Sequence, residues 1–236
     1  MKTPSLSIFF PMYNEKATVE RMAGKALTVL AALADDYEVL IVDDGSSDGS
    51  ERIADDLARR HPQVRVIHHP HNRGYGAALR TGFQSAAKEL VFYTDSDEPV
   101  NLWEIKQALP LVGPNVDLVI GYRIKRYDKL RRFIYSKVYN SLCRLLFGVH
   151  VRDINFSFKL IKRKVLQRIR LGAGSTFIDG ELLAEAVRYG CHIAEIPIEY
   201  FPRRSGSSSF DTLRAAFYAL DEMLAYWWRT RVRRLP

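Results

Sequence analysis

The sequence predicts an α/β fold with a mostly parallel central sheet and helices on both faces. In the first half of the chain, short apolar runs alternate with segments of helical periodicity, as in parallel sheets with crossover helices. Asparagine and aspartate residues follow several of these runs, at the strand ends where such sheets bind ligands. The five strands predicted in this half span residues 6–10, 39–42, 64–67, 90–93 and 116–120.

The segments between and after these strands predict the remaining elements. Helical patterns cover residues 16–33, 51–60, 76–88 and 102–109. Further on we expect an amphipathic basic helix over residues 130–146, a strand over 155–161 and a helix over 179–189. Residues 192–200 are expected to be extended, and Pro197 favours an edge strand because proline cannot donate to a sheet ladder.

A final amphipathic helix is predicted to begin near Asp211, a residue type favoured at helix N-caps. One face collects the apolar residues Leu213, Phe217, Leu220, Leu224 and Trp227. Trp228 and several arginines follow, a combination typical of anchoring at a membrane interface. Packing of the same face on the domain, or on a second subunit, explains the pattern equally well. We therefore expect a catalytic domain over residues 1–209 and an amphipathic helix over 210–236.

Composition favours a soluble globular protein with a negatively charged partner. The 236 residues are 47% hydrophobic and 26% charged, with a formal net charge of +8. Two distant cysteines give no disulfide framework, and neither a signal peptide nor a membrane-spanning run is evident, so a cytoplasmic location is expected. Basic and apolar residues interleave between residues 123 and 138, which suits contact with both phosphate and lipid. No nucleic-acid-binding motif accompanies this charge, so a nucleic-acid partner is not expected.

Two carboxylates, Asp95 and Asp97, directly follow the apolar run 90–93. Side chains two residues apart in an extended segment point the same way. Oxygen ligands at this spacing suit a hard divalent cation such as Mg²⁺ or Mn²⁺. Aspartate is also common in turns after strands, so this pattern alone leaves both interpretations open.

Two other loops carry residues suited to a nucleotide. Asp43 and Asp44 end the second strand, where a carboxylate can accept hydrogen bonds from a base or a ribose, although an ordinary Asp–Gly turn fits as well. Residues 72–76 place two glycines before a helix, where backbone can approach a neighbour and anions are attracted. The loop lacks the Gly-Lys-Ser/Thr of a P-loop, and no dinucleotide fingerprint follows the first strand, which argues against hydride transfer.

Four segments together resemble the family 2 glycosyltransferases. They are residues 10–15 (FPMYNE), 42–49 (VDDGSSDG), 72–78 (NRGYGAA) and 94–97 (TDSD). Residues 153–159, 181–183, 193–198 and 203–208 further resemble the polyprenyl-phosphate, dolichyl-phosphate mannosyltransferase-like branch of that family. The resemblance covers nearly the whole chain and implies the GT-A nucleotide-sugar-binding fold.

The resemblance also implies a role for each matching residue. The nucleotide pocket would contain Pro11, Tyr13 and Glu15, with Val42 and Asp44 holding the base and ribose. Asp95 and Asp97 would bind the metal, with Asp97 counted as catalytic and Ser96 beside the sugar diphosphate. Phosphates, including that of the acceptor, would contact Arg123, Arg132 and Ser136. Asp153 would face the reacting centre, and Arg203 would close over the donor diphosphate.

The implied reaction moves a hexose from a nucleotide-diphosphate sugar to polyprenyl (dolichyl or undecaprenyl) phosphate, with inversion and with Mg²⁺ or Mn²⁺. Pro99 replaces a common glutamine and Ser209 a common lysine of the mannosyltransferases, so the donor stays open between GDP-mannose and a UDP-hexose. Two alternatives remain: a soluble family 2 enzyme acting on a sugar hydroxyl, and a non-catalytic nucleotide-sugar-binding subunit. The lipid acceptor implies peripheral contact with the cytoplasmic face of a membrane, alone, as a homo-oligomer or with a membrane-anchoring subunit.

Overall fold

The computed structural model describes residues 4–97, 100–124, 130–200 and 213–231. Within these ranges, seven strands form one sheet in the order β3-β2-β1-β4-β6-β5-β7. The strands are β1 (Leu6–Met12), β2 (Tyr37–Asp43), β3 (Val64–His68), β4 (Leu90–Tyr93), β5 (Leu118–Arg123), β6 (Lys159–Lys162) and β7 (Ile193–Ile198). All five strands predicted for the first half are confirmed, with some ends shifted by two or three residues.

The helices also follow the sequence pattern, except for the segment 102–109 and for the short α6, which was not predicted. They are α1 (Val19–Leu33), α2 (Ser50–Arg60), α3 (Tyr75–Ser85), α4 (Ile105–Ala108), α5 (Leu130–Phe147), α6 (Arg163–Leu166), α7 (Phe177–Arg188) and α8 (Leu213–Arg231). The single helix predicted over 102–109 is instead the short α4 between two 3₁₀ turns, Leu102–Glu104 and Leu109–Leu111. Pro110 has no N–H for the carbonyl four residues earlier, so the α-helix cannot continue through it.

The prediction of a mostly parallel sheet is confirmed, with β6 as the exception. β1 to β4 are parallel to their neighbours among these four strands, whereas β6 runs antiparallel to both β4 and β5. β6 is shorter than predicted because residues 155–158 form turns and bends before it. β7 pairs only with β5 and forms the edge of the sheet, where Pro197 causes no loss of pairing, as expected.

Two buried apolar clusters cover the two faces of the sheet. In β1, Ile8 and Phe10 belong to the cluster that includes α1 and α2, whereas Phe9 belongs to the one that includes α3, α7 and α8. Alternate residues of a strand point to opposite faces, so a continuously apolar strand has to be covered on both. Burial of each of these phenylalanine side chains contributes about 1.5–3 kcal/mol to the stability of the fold. The predicted helices on both faces are thereby confirmed.

The C-terminal helix α8 packs through a different face from the one predicted. Its buried residues are Ala219, Met223 and Tyr226. Of the predicted apolar face, Leu220 packs against the buried cluster, whereas Phe217 is 68% and Leu224 49% exposed. Packing within the described part of the chain therefore explains the apolar periodicity of that face only in part. Among the described residues, no helix combines the length and the apolar character needed to cross a bilayer.

Candidate active site

The order of the strands reverses between β1 and β4, where a ligand crevice is expected. From β1 the chain adds β2 and β3 on one side and then returns to place β4 on the other side. Parallel sheets bind ligands where the winding reverses in this way, at the carboxyl ends of the strands. The segments after β1, β2 and β4 contain most of the residues predicted to bind the donor.

The turns that follow β1 and β2 are joined by hydrogen bonds through Asn14. Asn14 has a left-handed backbone (φ 56°), which asparagine tolerates better than most residues. Its N–H donates to the Ser46 hydroxyl at 3.0 Å, and its Oδ1 accepts from the Ser47 N–H at 2.9 Å. Beside this junction, Tyr13 is exposed while Pro11 is buried. The predicted pocket residue with a freely accessible ring is therefore Tyr13.

Two other predicted nucleotide contacts differ in their surroundings. Glu15 is half-buried. Its carboxylate accepts a hydrogen bond at 2.9 Å from the hydroxyl of Thr18, the residue just before α1. Val42 is fully buried in the apolar cluster on the α3 side of the sheet. The predicted contact of Val42 with the base stays a prediction.

Asp44 has both carboxylate oxygens engaged by the glycine-containing loop before α3. Oδ1 accepts from the Arg73 N–H at 2.9 Å and lies 2.7 Å from His69 Nδ1. Oδ2 accepts from the Gly74 N–H, also at 2.9 Å. Asp44 is almost wholly buried, so in the described structure its evident task is to hold this loop. Its predicted contact with the ribose stays a prediction.

The neighbouring Asp43 is part of a histidine-bridged carboxylate pair. His68 Nδ1 lies 2.8 Å from Asp43, and Nε2 lies 3.0 Å from Asp55. Burial alone would lower the pKa of His68, but the hydrogen bonds and charges of the two aspartates outweigh it and raise the pKa. Asp43 also accepts from the Ser46 N–H at 3.0 Å, so this pair fixes the turn after β2.

Asp95, Ser96 and Asp97 directly follow β4, as predicted. Ser96 is buried, whereas Asp95 and Asp97 are half-buried. Asp95 Oδ1 accepts a hydrogen bond from the Tyr75 hydroxyl at 3.0 Å. Because Arg73 and Gly74 bind Asp44 while Tyr75 binds Asp95, one three-residue segment connects two predicted ligand-binding carboxylates.

The donor set at Asp95 and Asp97 fits a divalent cation that arrives with a diphosphate. Among the described residues, no group of three or more His, Cys, Asp or Glu side chains could hold a metal ion by itself. Mg²⁺ is commonly bound by one or two carboxylates together with substrate phosphates and water, rather than by an all-protein cage. Two half-buried carboxylates at a ligand crevice match that mode of binding.

A buried polar network lies beneath Asp95. The Tyr75 and Tyr93 hydroxyls are hydrogen-bonded to each other, and Tyr93 lies 3.4 Å from Asp179 Oδ2. Lys159 is fully buried, and its ammonium donates to Asp179 Oδ1 at 2.6 Å and to the Phe156 carbonyl at 2.7 Å. Burial raises the pKa of both phenols well above the usual value, so they remain protonated donors. Burial also raises the pKa of Asp179, against the opposing effect of Lys159.

Sequence reasoning missed this network, because its members are far apart along the chain. Tyr93 appeared only as the last residue of an apolar strand, and Asp179 only as the start of a predicted helix. Lys159 did give a signal, since a lysine inside an alternating apolar strand has to find a partner if the strand is buried. The antiparallel pairing that places Lys159 opposite Tyr93 is a tertiary feature.

The beginning of α3 rests on the loop 172–175, which two carboxylates hold in place. The Gly76 N–H donates to the Gly174 carbonyl at 3.1 Å, and a Cβ at Gly76 would come within 2.3 Å of the Ala173 carbonyl oxygen. Glu222 of α8 accepts from the Gly174 N–H at 2.8 Å, and Glu181 of α7 accepts from the Ala173 N–H at 2.7 Å. Helix α8 therefore supports the loop on which the Tyr75 segment depends.

Arg123 and Asp153 form an ion pair with two hydrogen bonds. Arg123 Nε donates to Asp153 Oδ2 at 2.7 Å, and a terminal N–H donates to Oδ1 at 3.0 Å. The guanidinium carbon lies 5.5 Å from the ring centre of Phe156 and 5.3 Å from that of Tyr200. The two side chains are 8% and 2% exposed. The structure thus brings together two residues that were predicted separately, and the aspartate fixes the arginine.

The remaining predicted residues are less fully described. Ser136 is half-buried on α5. Arg132 lies in α5, but its side chain is outside the described part of the structure. Arg203, Pro99 and Ser209 also lie outside the described residues, so their predicted effects remain predictions.

Helices α5 and α8 meet at the C-terminal end of α5, and both expose apolar residues. The Phe147 ring of α5 packs against the Tyr226 ring of α8, with centres 5.3 Å apart. The exposed apolar residues are Phe133, Ile134, Tyr135, Val138 and Leu145 on α5, and Phe217, Tyr218, Leu224 and Trp228 on α8. Exposed basic residues, Lys137 and Arg144 on α5 and Arg229 and Arg231 on α8, lie among them. We call these two helix faces the amphipathic surface.

The fold is the GT-A fold. The structure is similar to a crystal structure of glucosyl-3-phosphoglycerate synthase from Mycobacterium tuberculosis in complex with Mn²⁺, uridine diphosphate and phosphoglyceric acid. The two share a TM-score of 0.74 at 21% identity, covering 95% of this chain and 78% of the other.

The model of the family described as Glycosyl transferase family 2 matches residues 7–170, and the chain belongs to that family. It is 30% identical to the polyprenol monophosphomannose synthase of Mycolicibacterium smegmatis over 91% of this chain and 85% of that one. It is also 29% identical to glycosyltransferase AglD of Haloferax volcanii over 97% of this chain, but it spans only 38% of that protein.

Proposed function

We propose that the protein transfers a hexose from a nucleotide-diphosphate sugar to a polyprenyl phosphate, with inversion at the anomeric carbon. The observation that carries the proposal is the position of Asp95 and Asp97 after β4, at the reversal of the strand order. Membership of family 2 supports the glycosyl transfer. The acceptor class is supported by the similarity to a polyprenol monophosphomannose synthase.

Asp95 and Asp97 would hold Mg²⁺ or Mn²⁺ against the donor diphosphate. A bound divalent cation neutralises negative charge that develops on a leaving diphosphate. Tyr13 and Glu15 would contact the nucleotide, and Asp44 would keep the loop before α3 closed beside it. The sugar and the base stay open between GDP-mannose and a UDP-hexose.

The geometry of Asp153 favours a phosphate as the nucleophile. Both of its oxygens accept hydrogen bonds from Arg123, so this carboxylate is committed to holding a cation rather than to accepting a proton. A phosphate monoester has a second pKa of about 6, so it is largely ionised near neutral pH and needs no strong general base. A sugar hydroxyl would need one. Arg123, held by Asp153, would attract the acceptor phosphate.

The amphipathic surface would bring the site to the lipid. Exposed apolar side chains beside basic ones bind an anionic membrane interface through both burial and charge. Contact with the membrane would be peripheral. It would be at the cytoplasmic face, because the polyprenyl phosphate acceptor has to meet a nucleotide sugar there. A membrane-anchoring subunit or a second copy of this chain would bind the same surface if the membrane does not.

A donor panel tests the proposed reaction. Labelled GDP-mannose, UDP-glucose and UDP-galactose are incubated with the protein, polyprenyl phosphate and Mg²⁺, Mn²⁺ or chelator, and the lipid is extracted. We expect label in the lipid fraction for one of these donors, only when a divalent cation is present. Label that stays in the aqueous fraction on a sugar product would favour a soluble family 2 enzyme. Donor binding without turnover would favour a non-catalytic subunit.

A further inference from the structure

The hydroxyl groups of Tyr75 and Tyr93 form a chain that ends on Asp95. The Tyr75 hydroxyl lies 3.0 Å from Asp95 Oδ1, and the Tyr93 hydroxyl is hydrogen-bonded to the Tyr75 hydroxyl. The third contact, from Tyr93 to Asp179 Oδ2, is the longest at 3.4 Å. Two phenols have two protons for these three contacts. The Tyr75 hydroxyl donates to Asp95, and the Tyr93 hydroxyl donates to Asp179 or to Tyr75.

The inner end of this chain is fixed in place by packing and charge. The Tyr93 ring stacks on the Phe9 ring, with ring centres 5.5 Å apart. It also makes a T-shaped contact with the Phe83 ring, with ring centres 5.6 Å apart. The Lys159 ammonium lies 5.2 Å from the centre of the same ring and is itself held by Asp179. A side chain fixed in this way can define the position of the group to which it is hydrogen-bonded.

We infer that Tyr75 and Tyr93 are positioning residues that orient Asp95 for the divalent cation. The inference rests on the proposed function, because it takes Asp95 as a metal ligand. A hydrogen bond to Oδ1 limits rotation of the carboxylate and so determines where its oxygens point. Residues that orient metal ligands in this way commonly change metal affinity 10- to 100-fold when they are removed.

The test compares Tyr75→Phe, Tyr93→Phe and the double variant with the wild-type protein. The measurement is Mn²⁺ affinity in the presence of UDP or GDP, from the electron paramagnetic resonance signal of free Mn²⁺, together with thermal unfolding. We expect about tenfold weaker Mn²⁺ binding in Tyr75→Phe and a smaller loss in Tyr93→Phe. The double variant should bind like Tyr75→Phe alone, because Tyr93 acts only through the hydroxyl that is already missing.

Tyr226→Phe is the matched control. The Tyr226 hydroxyl is buried and donates to a carboxylate, Glu185, so its hydrogen bond joins α8 to α7 and is not part of the Tyr75–Tyr93–Asp95 chain. This variant should lose thermal stability and keep its Mn²⁺ affinity. A purely structural role for Tyr75 would give the same result for Tyr75→Phe.

Unchanged Mn²⁺ affinity in a folded Tyr75→Phe protein would overturn the inference. If that variant does not fold, unchanged affinity in Tyr93→Phe overturns it instead. Asp95→Asn separates this failure from failure of the proposed function. If Asp95→Asn binds Mn²⁺ normally, the metal site itself is misassigned. If Asp95→Asn loses binding and both tyrosine variants keep it, only the positioning role is wrong.

Discussion

At the carboxyl edge of β1, β2 and β4, polar side chains are buried and hydrogen-bonded, whereas on α5 and α8 apolar side chains are exposed. Asp44 is almost fully buried and binds backbone N–H groups of one loop, while Phe217 of α8 is 68% exposed. Buried carboxylates need such partners, so the first region is ordered before any ligand arrives. Exposed apolar surface gains free energy only when something covers it, so the second region is suited to docking.

The two regions are connected through α8. Its Glu222 accepts hydrogen bonds from the Gly174 and Ser175 N–H groups at 2.8 and 3.0 Å, and Gly174 in turn accepts from the Gly76 N–H. The inner face of α8 therefore supports the donor side, while its outer face belongs to the amphipathic surface. Changes at Glu222 should therefore alter stability and the site, and changes at outward-facing apolar residues such as Leu224 should alter docking alone.

The largest expected effect comes from Asp97→Asn. The charge needed to hold a divalent cation is lost, while the size of the side chain is kept. Because such a cation contributes several kcal/mol to stabilising the leaving group, transfer should fall by about a thousandfold or more. Initial rates of lipid labelling at saturating Mn²⁺ measure this loss, with circular dichroism to check the fold. Full turnover in the folded variant would show that the metal is assigned to the wrong residues.

Gly76→Ala should damage the donor side through the loop 172–175. The added Cβ would lie 2.3 Å from the Ala173 carbonyl oxygen, so the start of α3 has to move away. Such overpacking costs about 1–3 kcal/mol, measurable by urea unfolding. Gly24→Ala in α1 is the control, because nothing lies within 4 Å of its added Cβ. It should gain about 0.5–1 kcal/mol from helix propensity. Equal stability of the two variants would contradict the described packing.

Leu224→Ser tests the outer face of α8. The side chain is 49% exposed, so the folded protein should keep its stability. Complete burial of a leucine is worth about 1.5–3 kcal/mol, so covering the exposed half of Leu224 is worth roughly half of that, and sedimentation with vesicles containing phosphatidylglycerol should weaken by roughly three- to tenfold. Leu111→Ser is the control, since Leu111 is similarly exposed but lies in a 3₁₀ turn away from α5 and α8. Equal losses in both variants would mean that the amphipathic surface is not specific.

The smallest effect is the pH dependence of the turn after β2. Asp43 and Asp55 raise the pKa of His68 in the folded protein. The stabilisation is therefore complete below the unfolded pKa of about 6.5 and is lost as the pH rises through the higher folded value. His68 is partly exposed, so solvent screening limits the effect to roughly 0.5 kcal/mol. Wild type and His68→Gln should differ more in unfolding free energy at pH 5.5 than at pH 8.5. A larger difference in unfolding free energy at pH 8.5 than at pH 5.5 would contradict the ion pairs of His68 with Asp43 and Asp55.

The sequence could predict the features that depend on local periodicity, but not those that depend on contacts between distant segments. Strand and helix periodicity is local, so β1 to β4 and the position of Asp95 and Asp97 after β4 followed directly. The antiparallel course of β6 and the Lys159–Asp179 pair depend on which strand and helix meet, and this is decided by packing between distant segments. On α8 the periodicity pointed to the face with Leu220 and Leu224, whereas small and aromatic residues, Ala219 and Tyr226, supply the buried contacts.

In the proposed reaction an ionised phosphate on a lipid, rather than a hydroxyl, attacks the sugar. The most direct test offers the protein polyprenyl phosphate and the matching polyprenol in parallel, with the same labelled donor and Mn²⁺. We expect labelled lipid from the phosphate and none from the alcohol. Equal labelling of the alcohol, or label found only on a water-soluble sugar, would contradict it.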